Sequence, residues 1–325
     1  MSMLQSDETS TGGTSGTVKS AASATGTSSS GAGTPPPGTG LLTAAPTSMI
    51  EIPEPRGGVF APLVSAVRDG WVVARRNVVN VRRTPGALVT GVAQPIIFVL
   101  ILAFVFGGAL GGDAYREFLI GGILAQTLTF NSSFTAVYLA KDLQSGLIDR
   151  FRALPMSRVG VILGRTTSDL VTSGISIVVI VLCGLAIGWR VDNGVGQVLL
   201  TFGLLVLFAF ATSWIGAAIA LTARSVEVAQ SLGLLWLFPV CFISGAFVSA
   251  DMLPGVLRTI AEWNPVTAVA TAVRQGFGNQ PPAGFEVADG WAAQNAMLYA
   301  FVCCIAIIAI FAPIAVGQYR RISKR

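Results

Sequence analysis

The chain has 325 residues, of which 52% are hydrophobic and only 11% charged, and its mean hydropathy is +0.69. Soluble domains carry about 25% charged residues, so this composition excludes an ordinary soluble globule. The chain contains no histidine, which excludes histidine general bases, Ser-His-Asp triads and histidine metal ligands. Its four cysteines lie in apolar runs without Cys-x-x-Cys spacing, a setting typical of buried free thiols.

The first 55 residues are dominated by small side chains. Between residues 9 and 40, 30 of 32 residues are Ser, Thr, Gly, Ala or Pro. Such a segment has no apolar surface to bury, and it lacks the basic start and apolar run of a secretory signal. We therefore expect residues 1–55 to form a disordered cytosolic tail.

Residues 56–84 combine an apolar stripe with a basic face. Apolar residues from Val59 to Val81, among them Trp71, recur at helical spacing opposite a set of charged residues rich in arginine. This pattern predicts an amphipathic helix in the inner headgroup layer of a membrane. A soluble helix packed on a partner protein is the alternative.

Six windows of 20 to 31 residues then contain no Asp, Glu, Lys or Arg. About 20 helical residues cross a hydrocarbon core of ~30 Å. Continuously apolar runs such as Ile96–Phe106 exclude the alternating pattern of a barrel, so we predict an all-α polytopic membrane protein. The predicted spans lie near 87–109, 118–140, 166–189, 197–222, 229–250 and 292–317.

Lysine and arginine give the orientation. With both termini inside, the inner segments hold 17 of the 21 basic residues and the outer loops hold four. We therefore predict a plasma-membrane protein whose N- and C-termini are cytosolic. Topology and anionic lipid headgroups account for the basic balance, so no nucleic-acid partner is expected.

The loop between spans two and three carries a second amphipathic pattern. Leu143, Leu147, Phe151 and Leu154 form a helical stripe that Pro155 stops. The pattern predicts a short cytosolic helix over 142–155, which is either a docking element or an ordinary charged connector.

Arg165 and Asp169 follow at the start of span three, four residues apart on one helix face. A charge pair at this depth is costly unless it is paired or hydrated. It is either a local salt bridge at the membrane edge or part of a contact between span three and the cytosolic docking element.

Two spans carry candidate pathway residues. The polar side chains of span two would be stranded in lipid, so they either bond to other helices or line a substrate path. The aromatic rings of span five either stack on a flat ligand or pack ordinarily, and Pro239 is expected to kink that helix. The pathway-lining candidates are Gln126, Thr127, Asn131, Ser132, Trp236 and Phe242.

The outer loop 249–289 contains two apolar stretches that are too short to span, Leu253–Pro265 and Val266–Phe277. We predict that they form two helices, within residues 251–280, that dip into the outer leaflet and return.

Nucleotide chemistry is missing from the sequence. None of the three lysines follows a glycine as a P-loop requires, and no carboxylate lies in the middle of a span to couple protons. We therefore expect no cofactor on this chain and no enzyme activity of its own. Energy for uphill transport would come from a separate subunit.

Three segments resemble a known family. They are Arg82-Arg83-Thr84-Pro85 with Gln94–Phe98, the loop Gly146–Arg158, and Phe247–Pro254 with Trp263-Asn264-Pro265 and Arg274. Over residues 56–325 the chain resembles the permease subunit of type-2 ABC exporters, in the daunorubicin-resistance permease group. Many relatives carry Glu and Gly-Thr where this chain has Asp142 and Ser145-Gly146.

The resemblance implies a half-transporter that pairs with a second permease, either a copy of itself or a sister subunit. Each permease would dock a cytosolic ATPase that holds ATP and magnesium. Residues 59–83 would form a connecting helix on the membrane surface, and spans two and five would line the path. The coupling residues would be Asp142, Gly146, Asp149, Arg150, Phe151, Arg152, Pro155 and Arg158, and the external gate would include Pro254, Trp263, Asn264 and Pro265.

The leading functional hypothesis is therefore the permease of an ATP-driven exporter for a hydrophobic or amphipathic substrate, such as a drug or a lipid, that works by alternating access. A secondary transporter and a non-transporting membrane scaffold are the alternatives.

Overall fold

The computed structural model describes residues 85–108, 112–145, 158–247, 249, 252–279, 281–282 and 290–322. Its regular elements are all helical, and the described residues include no strand. The predicted tail and the whole of the predicted amphipathic helix lie outside the described residues, as do residues 146–155 of the predicted coupling helix. The prediction of an all-helical chain is confirmed for the part that the structure describes.

Nine α-helices follow one another along the described chain, and a π-helical turn at Leu102–Phe106 extends the first of them. They are α1 (Pro85–Ile101), α2 (Asp113–Gln144), α3 (Arg158–Ala186), α4 (Val195–Thr222), α5 (Val226–Phe242), α6 (Gly255–Glu262), α7 (Pro265–Phe277), α8 (Trp291–Gln294) and α9 (Ala296–Ile322).

Three helices contain segments that are long and apolar enough to cross a membrane, and two shorter apolar helices accompany them. The three segments are Arg165–Ala186, Val195–Thr222 and Ala296–Tyr319. Large apolar side chains are exposed on the outer faces of these helices and of α1 and α5, where water would be unfavourable. The chain is therefore a polytopic membrane protein, and the count of six spans stays a prediction.

The ends of two helices differ from the predicted spans. The fifth charge-free window continues to residue 250, but α5 ends at Phe242, because the chain turns at Ile243 and the carbonyls beyond Pro239 find partners outside the helix. The last window also breaks, since Asn295 leaves helical geometry between the short α8 and the long α9. Hydropathy alone does not register either break.

The long helix α2 lies at the centre of the bundle and packs against α3, α4, α5 and α7. Glycines permit its closest approaches. A Cβ atom added at Gly122 would collide with the Ala246 backbone, and one added at Gly216 of α4 would collide with the Ser132 carbonyl. Small residues at helix crossings let membrane helices approach closely, so these glycines fix α2 against α4 and against the segment after α5.

Candidate transport path, inner charged group and external anchors

The polar side chains of α2 lie mostly inside the bundle, where several of them are hydrogen-bonded. Gln126 and Ser132 are buried, whereas Thr127 and Asn131 are half-buried. The Asn131 Nδ2 donates to Ser173 Oγ of α3 at 3.2 Å, and the Ser132 hydroxyl donates to the Thr129 carbonyl at 2.6 Å. Interhelical bonding therefore explains Asn131 within one subunit, and a role in lining a path stays a prediction for all four.

The contact between α2 and α5 is of a different kind. The Ser133 hydroxyl donates to the Gly233 carbonyl at 2.9 Å, and the missing side chain of Gly233 lets the two helices approach. Ser133 was not among the predicted site residues. A small residue opposite a glycine is recognisable only once the pairing of the two helices is known.

The opposite side of α5 is an open aromatic face. Phe238 and Phe242 stack with ring centroids 5.7 Å apart and planes 21° apart, and Phe242 is 63% exposed. Trp236 is half-buried, and its indole Nε1 is buried without a hydrogen-bond partner in the described part of the chain. This face can take a second subunit, lipid chains or a flat apolar ligand.

A charged group lies where α2 ends and α3 begins. Arg165 contacts Asp169 at 3.3 Å and Asp142 at 3.5 Å, and its guanidinium lies 5.3 Å from the centre of the Tyr138 ring. Arg165 therefore forms the local pair and also contacts the last turn of α2, while a contact with the predicted docking element stays a prediction, since residues 146–157 lie outside the described residues.

Asp142 itself belongs to the last turn of α2 rather than to a separate helix. The backbone bond from Ser145 N to the Lys141 carbonyl continues the turn, and Lys141 stabilises the negative end of the helix dipole. The predicted start of the coupling helix at residue 142 is therefore wrong. Arg158 begins α3, and the other predicted coupling residues, Gly146, Asp149, Arg150, Phe151, Arg152 and Pro155, lie outside the described residues.

Asn264 joins the start of α7 to the end of α5. Its Oδ1 accepts from Val266 N at 2.9 Å as a helix cap, and its Nδ2 donates to the carbonyls of Val240 and Ile243 at 2.7 Å each. Pro265 occupies the first helical position, where its missing N–H costs nothing. The Asn-Pro pair predicted for the external gate is thus an anchor between two helices.

The other two predicted gate residues lie at opposite ends of α6. Trp263 is exposed, packs edge-on against the Tyr299 ring at 5.5 Å, and accepts a 2.8 Å bond from the Tyr299 hydroxyl on its carbonyl. Pro254 is exposed just before α6 begins. The structure therefore brings together Trp263, Asn264 and Pro265, while Pro254 lies apart from them.

Arg274, in the last turn of α7, is a second anchor. Only 8% exposed, it donates to the carbonyls of Phe118, Gly245 and Ala246 at 2.8, 2.9 and 2.6 Å. Its guanidinium also lies 3.4 Å from the centre of the Phe118 ring. The sequence indicated Arg274 only as part of the family pattern, although a lone arginine in an apolar outer segment is itself a signal.

Hydrogen bonds hold the loop between α3 and α4 against the end of α7. Trp189 is fully buried, and its Nε1 donates to Asn279 Oδ1 at 2.9 Å. Asn193 Nδ2 donates to the Gln275 carbonyl at 2.7 Å, and Asp192 N donates to the Phe277 carbonyl at 2.9 Å. Together with the bonds of Asn264 and Arg274, these hydrogen bonds tie the neighbouring segments to α7 at the end of the bundle that we expect to be external.

The same end carries an acidic group at the start of α2. Burial, and then repulsion from the carboxylates of Asp192 and Asp113, raises the pKa of Glu117 above its ordinary value. Asp113 is itself paired with Arg116 at 2.6 Å. Three carboxylates, of Asp113, Glu117 and Asp192, therefore lie near one another at this end of the bundle, with Arg116 paired to one of them.

The chain is similar to known proteins over the segments just described. The family described as "ABC-2 type transporter" matches residues 68–277, which include α1 to α7. The chain is 29% identical over 249 residues to the daunorubicin resistance ABC transporter permease protein DrrB1 of Streptomyces coeruleorubidus, a match that covers 75% of this chain and 83% of that protein.

Two further relatives extend the comparison. The probable doxorubicin resistance ABC transporter permease protein DrrC of Mycobacterium tuberculosis is 23% identical over 240 residues, covering 73% of this chain and 82% of that protein. Nodulation protein J of Rhizobium leguminosarum bv. trifolii is 26% identical over 216 residues, covering 63% and 79%. The resemblance found in the sequence is confirmed: the chain belongs to the ABC-2 type transporter family, as a membrane subunit of an ABC transporter.

Proposed function

We propose that the chain is the permease subunit of an ATP-driven exporter that moves a hydrophobic or amphipathic substrate, a drug or a lipid, out across the plasma membrane by alternating access. The observation that carries the proposal is the family match over residues 68–277. Membership of this family implies an ABC ATPase subunit and a dimeric arrangement. ATP and magnesium would be held by the ATPase.

The substrate class is supported by the relatives and by α5. Two relatives are named for resistance to daunorubicin and doxorubicin, and α5 exposes the stacked pair Phe238 and Phe242. Aromatic pairs favour stacked arrangements with other planar rings. A planar, apolar drug therefore fits this face better than a small polar solute.

The path would lie where two permeases face each other through α5 and α2. Phe242 is exposed, and Thr127, Asn131 and Trp236 are half-buried, so these four can reach a cavity between subunits. Gln126 and Ser132 are buried and would need a helix movement to contact substrate. In a six-span topology, α6 and α7 would be the re-entrant pair, with the Trp263–Pro265 turn and Pro254 in the external gate.

The inner ends would dock the ATPase, and the basic residues give this side its orientation toward the cytosol. We expect that replacing Phe151 or Arg152 by alanine leaves membrane insertion intact but uncouples ATP hydrolysis from transport, because Phe151 lies on the predicted apolar stripe and Arg152 is among the predicted coupling residues beside it. Substrate-stimulated ATPase activity in reconstituted complexes is the measurement. Unchanged stimulation in both variants would count against a docking role for this loop.

Purification tests the proposal as a whole. The chain, expressed with the ATPase encoded beside it, should co-purify with that ATPase in a complex containing two permeases. A chain that purifies alone and transports in ATP-depleted vesicles would support a secondary transporter instead. A chain whose deletion leaves efflux unchanged would support a scaffold.

A further inference from the structure

Between α2 and α3 there is a polar seam, which consists of Arg165, Asp169 and Ser173 on α3 and of Asp142, Thr135 and Asn131 on α2. The three α3 residues are spaced four apart, so they share one face of that helix. Arg165 reaches Asp142 at 3.5 Å, and Asn131 Nδ2 donates to Ser173 Oγ at 3.2 Å. Between these contacts Asp169 pairs with Arg165 of its own helix at 3.3 Å, and the Thr135 hydroxyl donates to the Asn131 carbonyl of its own helix at 3.2 Å. The seam therefore links the two helices at successive levels.

The seam is largely buried in an apolar bundle, although Asp142 and Asn131 are only half-buried. Ser173 is 3% exposed, and the side chains of Arg165 and Asp169 are 15% and 14% exposed. Polar groups in such surroundings are costly when they lose their partners. Sliding or twisting α3 along α2 would separate both cross-helix pairs, Arg165–Asp142 and Asn131–Ser173, so the contact resists relative movement.

The opposite side of α2 lacks this restraint. Its contact with α5 includes one hydroxyl that donates to the backbone carbonyl of a glycine, and the far face of α5 is open. Successive backbone carbonyls of a helix are equivalent acceptors. Where no bulky side chain intervenes, as at Gly233, the Ser133 hydroxyl can therefore move from one carbonyl to the next at little cost. The contact of α2 with α3 thus pairs polar side chains with one another, while its contact with α5 is a close packing in which one hydroxyl bonds to a backbone carbonyl.

The position of the seam gives it a mechanical meaning. Asp142 lies in the last turn of α2 and Arg165 lies about two turns after the start of α3, and residues 146–157 belong to the connection between these helices. From Arg165 to Ser173 the seam extends about 12 Å along α3, and it ends beside Asn131, a candidate pathway residue. It therefore begins at the predicted ATPase-docking loop and ends at the predicted path.

We infer that the seam is the element that couples the docking loop to the path: it holds α2 and α3 as one rigid pair, so a displacement of the loop by the ATPase moves the pathway face of α2. The inference rests on the proposed function of that loop. Arg165, Asp169, Ser173 and Asn131 are then positioning residues, which act on transport through α2 and need not touch substrate.

The deepest level of the seam permits a matched test. Ser173 and Ser176 are each 3% exposed on α3, but the Ser176 hydroxyl bonds only to the Thr172 carbonyl of its own helix in the described structure. Ser173→Ala should lower the daunorubicin transported per ATP hydrolysed by about fivefold in vesicles that contain the full chain and its ATPase. Ser176→Ala should leave that ratio unchanged.

An exchange variant separates positioning from simple helix adhesion. Asn131→Ser combined with Ser173→Asn returns an amide and a hydroxyl to the same level with their helices swapped, so it should recover most of the lost ratio. Equal effects of Ser173→Ala and Ser176→Ala would overturn the inference. The inference would also be overturned if Ser173→Ala lowered the daunorubicin transported per ATP hydrolysed and the exchange variant did not restore it.

A second readout needs no transported substrate. Trapping the ATPase with ADP and vanadate should change amide hydrogen exchange of residues 126–135 in the wild-type complex and in Ser176→Ala, but not in Ser173→Ala. A wild-type complex that shows this change but moves no daunorubicin would contradict the proposed substrate and support the seam. Daunorubicin transport with the same exchange response in Ser173→Ala would contradict the seam alone.

Discussion

At the scale of single residues, Arg274 shows how this chain buries a charge without a carboxylate beside it. Its planar fork of donors meets backbone carbonyls from two separate segments, and the Phe118 ring lies against its face. Carbonyl dipoles and an aromatic face together replace part of the hydration that burial removes. A lysine, with one compact ammonium group, would not span both segments.

Replacing Arg274 by glutamine should lower the free energy of unfolding by about 3 kcal/mol, because bonds to a charged donor are lost and buried carbonyls are left without partners. Arg274→Lys should lose less. Denaturant unfolding of the purified chain in detergent micelles measures both.

The matched control is Arg258→Gln on α6, where an exposed arginine pairs with Glu262 at 2.9 Å. Exposed pairs contribute less than about 1 kcal/mol, so this variant should unfold almost like the wild type. Equal losses at positions 258 and 274 would show that the buried anchor has been overestimated.

Sequence reasoning could find Arg274 but not its role. A lone arginine in an apolar outer segment departs from the charge pattern, yet its acceptors are backbone carbonyls, one of them 156 residues away. Backbone carbonyls leave no mark on the sequence. For the same reason the sequence indicated the Asn264-Pro265 pair as a turn signal but not its bonds to the end of α5.

At the scale of helices, the contacts of α2 explain which boundaries were predictable. The two short helices α6 and α7 fall close to the predicted stretches, since the prolines at 254 and 265 mark their beginnings. The end of α5 was missed, because an apolar window continues past the point where Asn264 takes up the carbonyls of Val240 and Ile243. A charge-free window is therefore a good predictor that a helix exists and a poorer predictor of the residue at which the helix ends.

Two glycines of α4 test the close approach of α4 to α2. A Cβ at Gly216 would collide with the Ser132 carbonyl, whereas one at Gly203 would meet nothing within 4 Å. Gly216→Ala should therefore push the helices apart and lower the unfolding temperature by several degrees.

Gly203→Ala should be neutral or stabilise α4 by up to about 1 kcal/mol, because alanine is the better helix former. Thermal unfolding of both variants in the same detergent compares them directly. A Gly216→Ala protein as stable as the Gly203→Ala protein would contradict the described α2–α4 contact.

At the scale of the whole molecule, the two ends of the bundle carry different charged groups, and the anchoring bonds of α7 lie at one of them. One end carries the Arg165 group and adjoins the predicted docking loop, and the other carries the Glu117 group and the α7 anchors. The distribution of lysine and arginine along the sequence, rather than the Arg165 group itself, is what predicts that this end faces the cytosol. The bundle, however, is one subunit with an open α5 face, and no sequence pattern states what covers that face.

Reporter fusions test the orientation. Green fluorescent protein fused after Arg325 should fluoresce, since it folds in the cytosol, and alkaline phosphatase fused after Gly194 should be active, since it folds only outside. The reverse pattern would place the α7 anchors on the cytosolic side and remove the basis for an inner docking loop.

The most direct measurement for the central claim is ATP-dependent transport by the reconstituted complex. The permease and its ATPase are placed in sealed vesicles with the nucleotide sites outside, and daunorubicin uptake is followed by its fluorescence. The account predicts uptake that requires ATP and disappears when the ATPase carries a hydrolysis-dead substitution. Uptake that proceeds equally without ATP, or that is equal in vesicles lacking this chain, would contradict it.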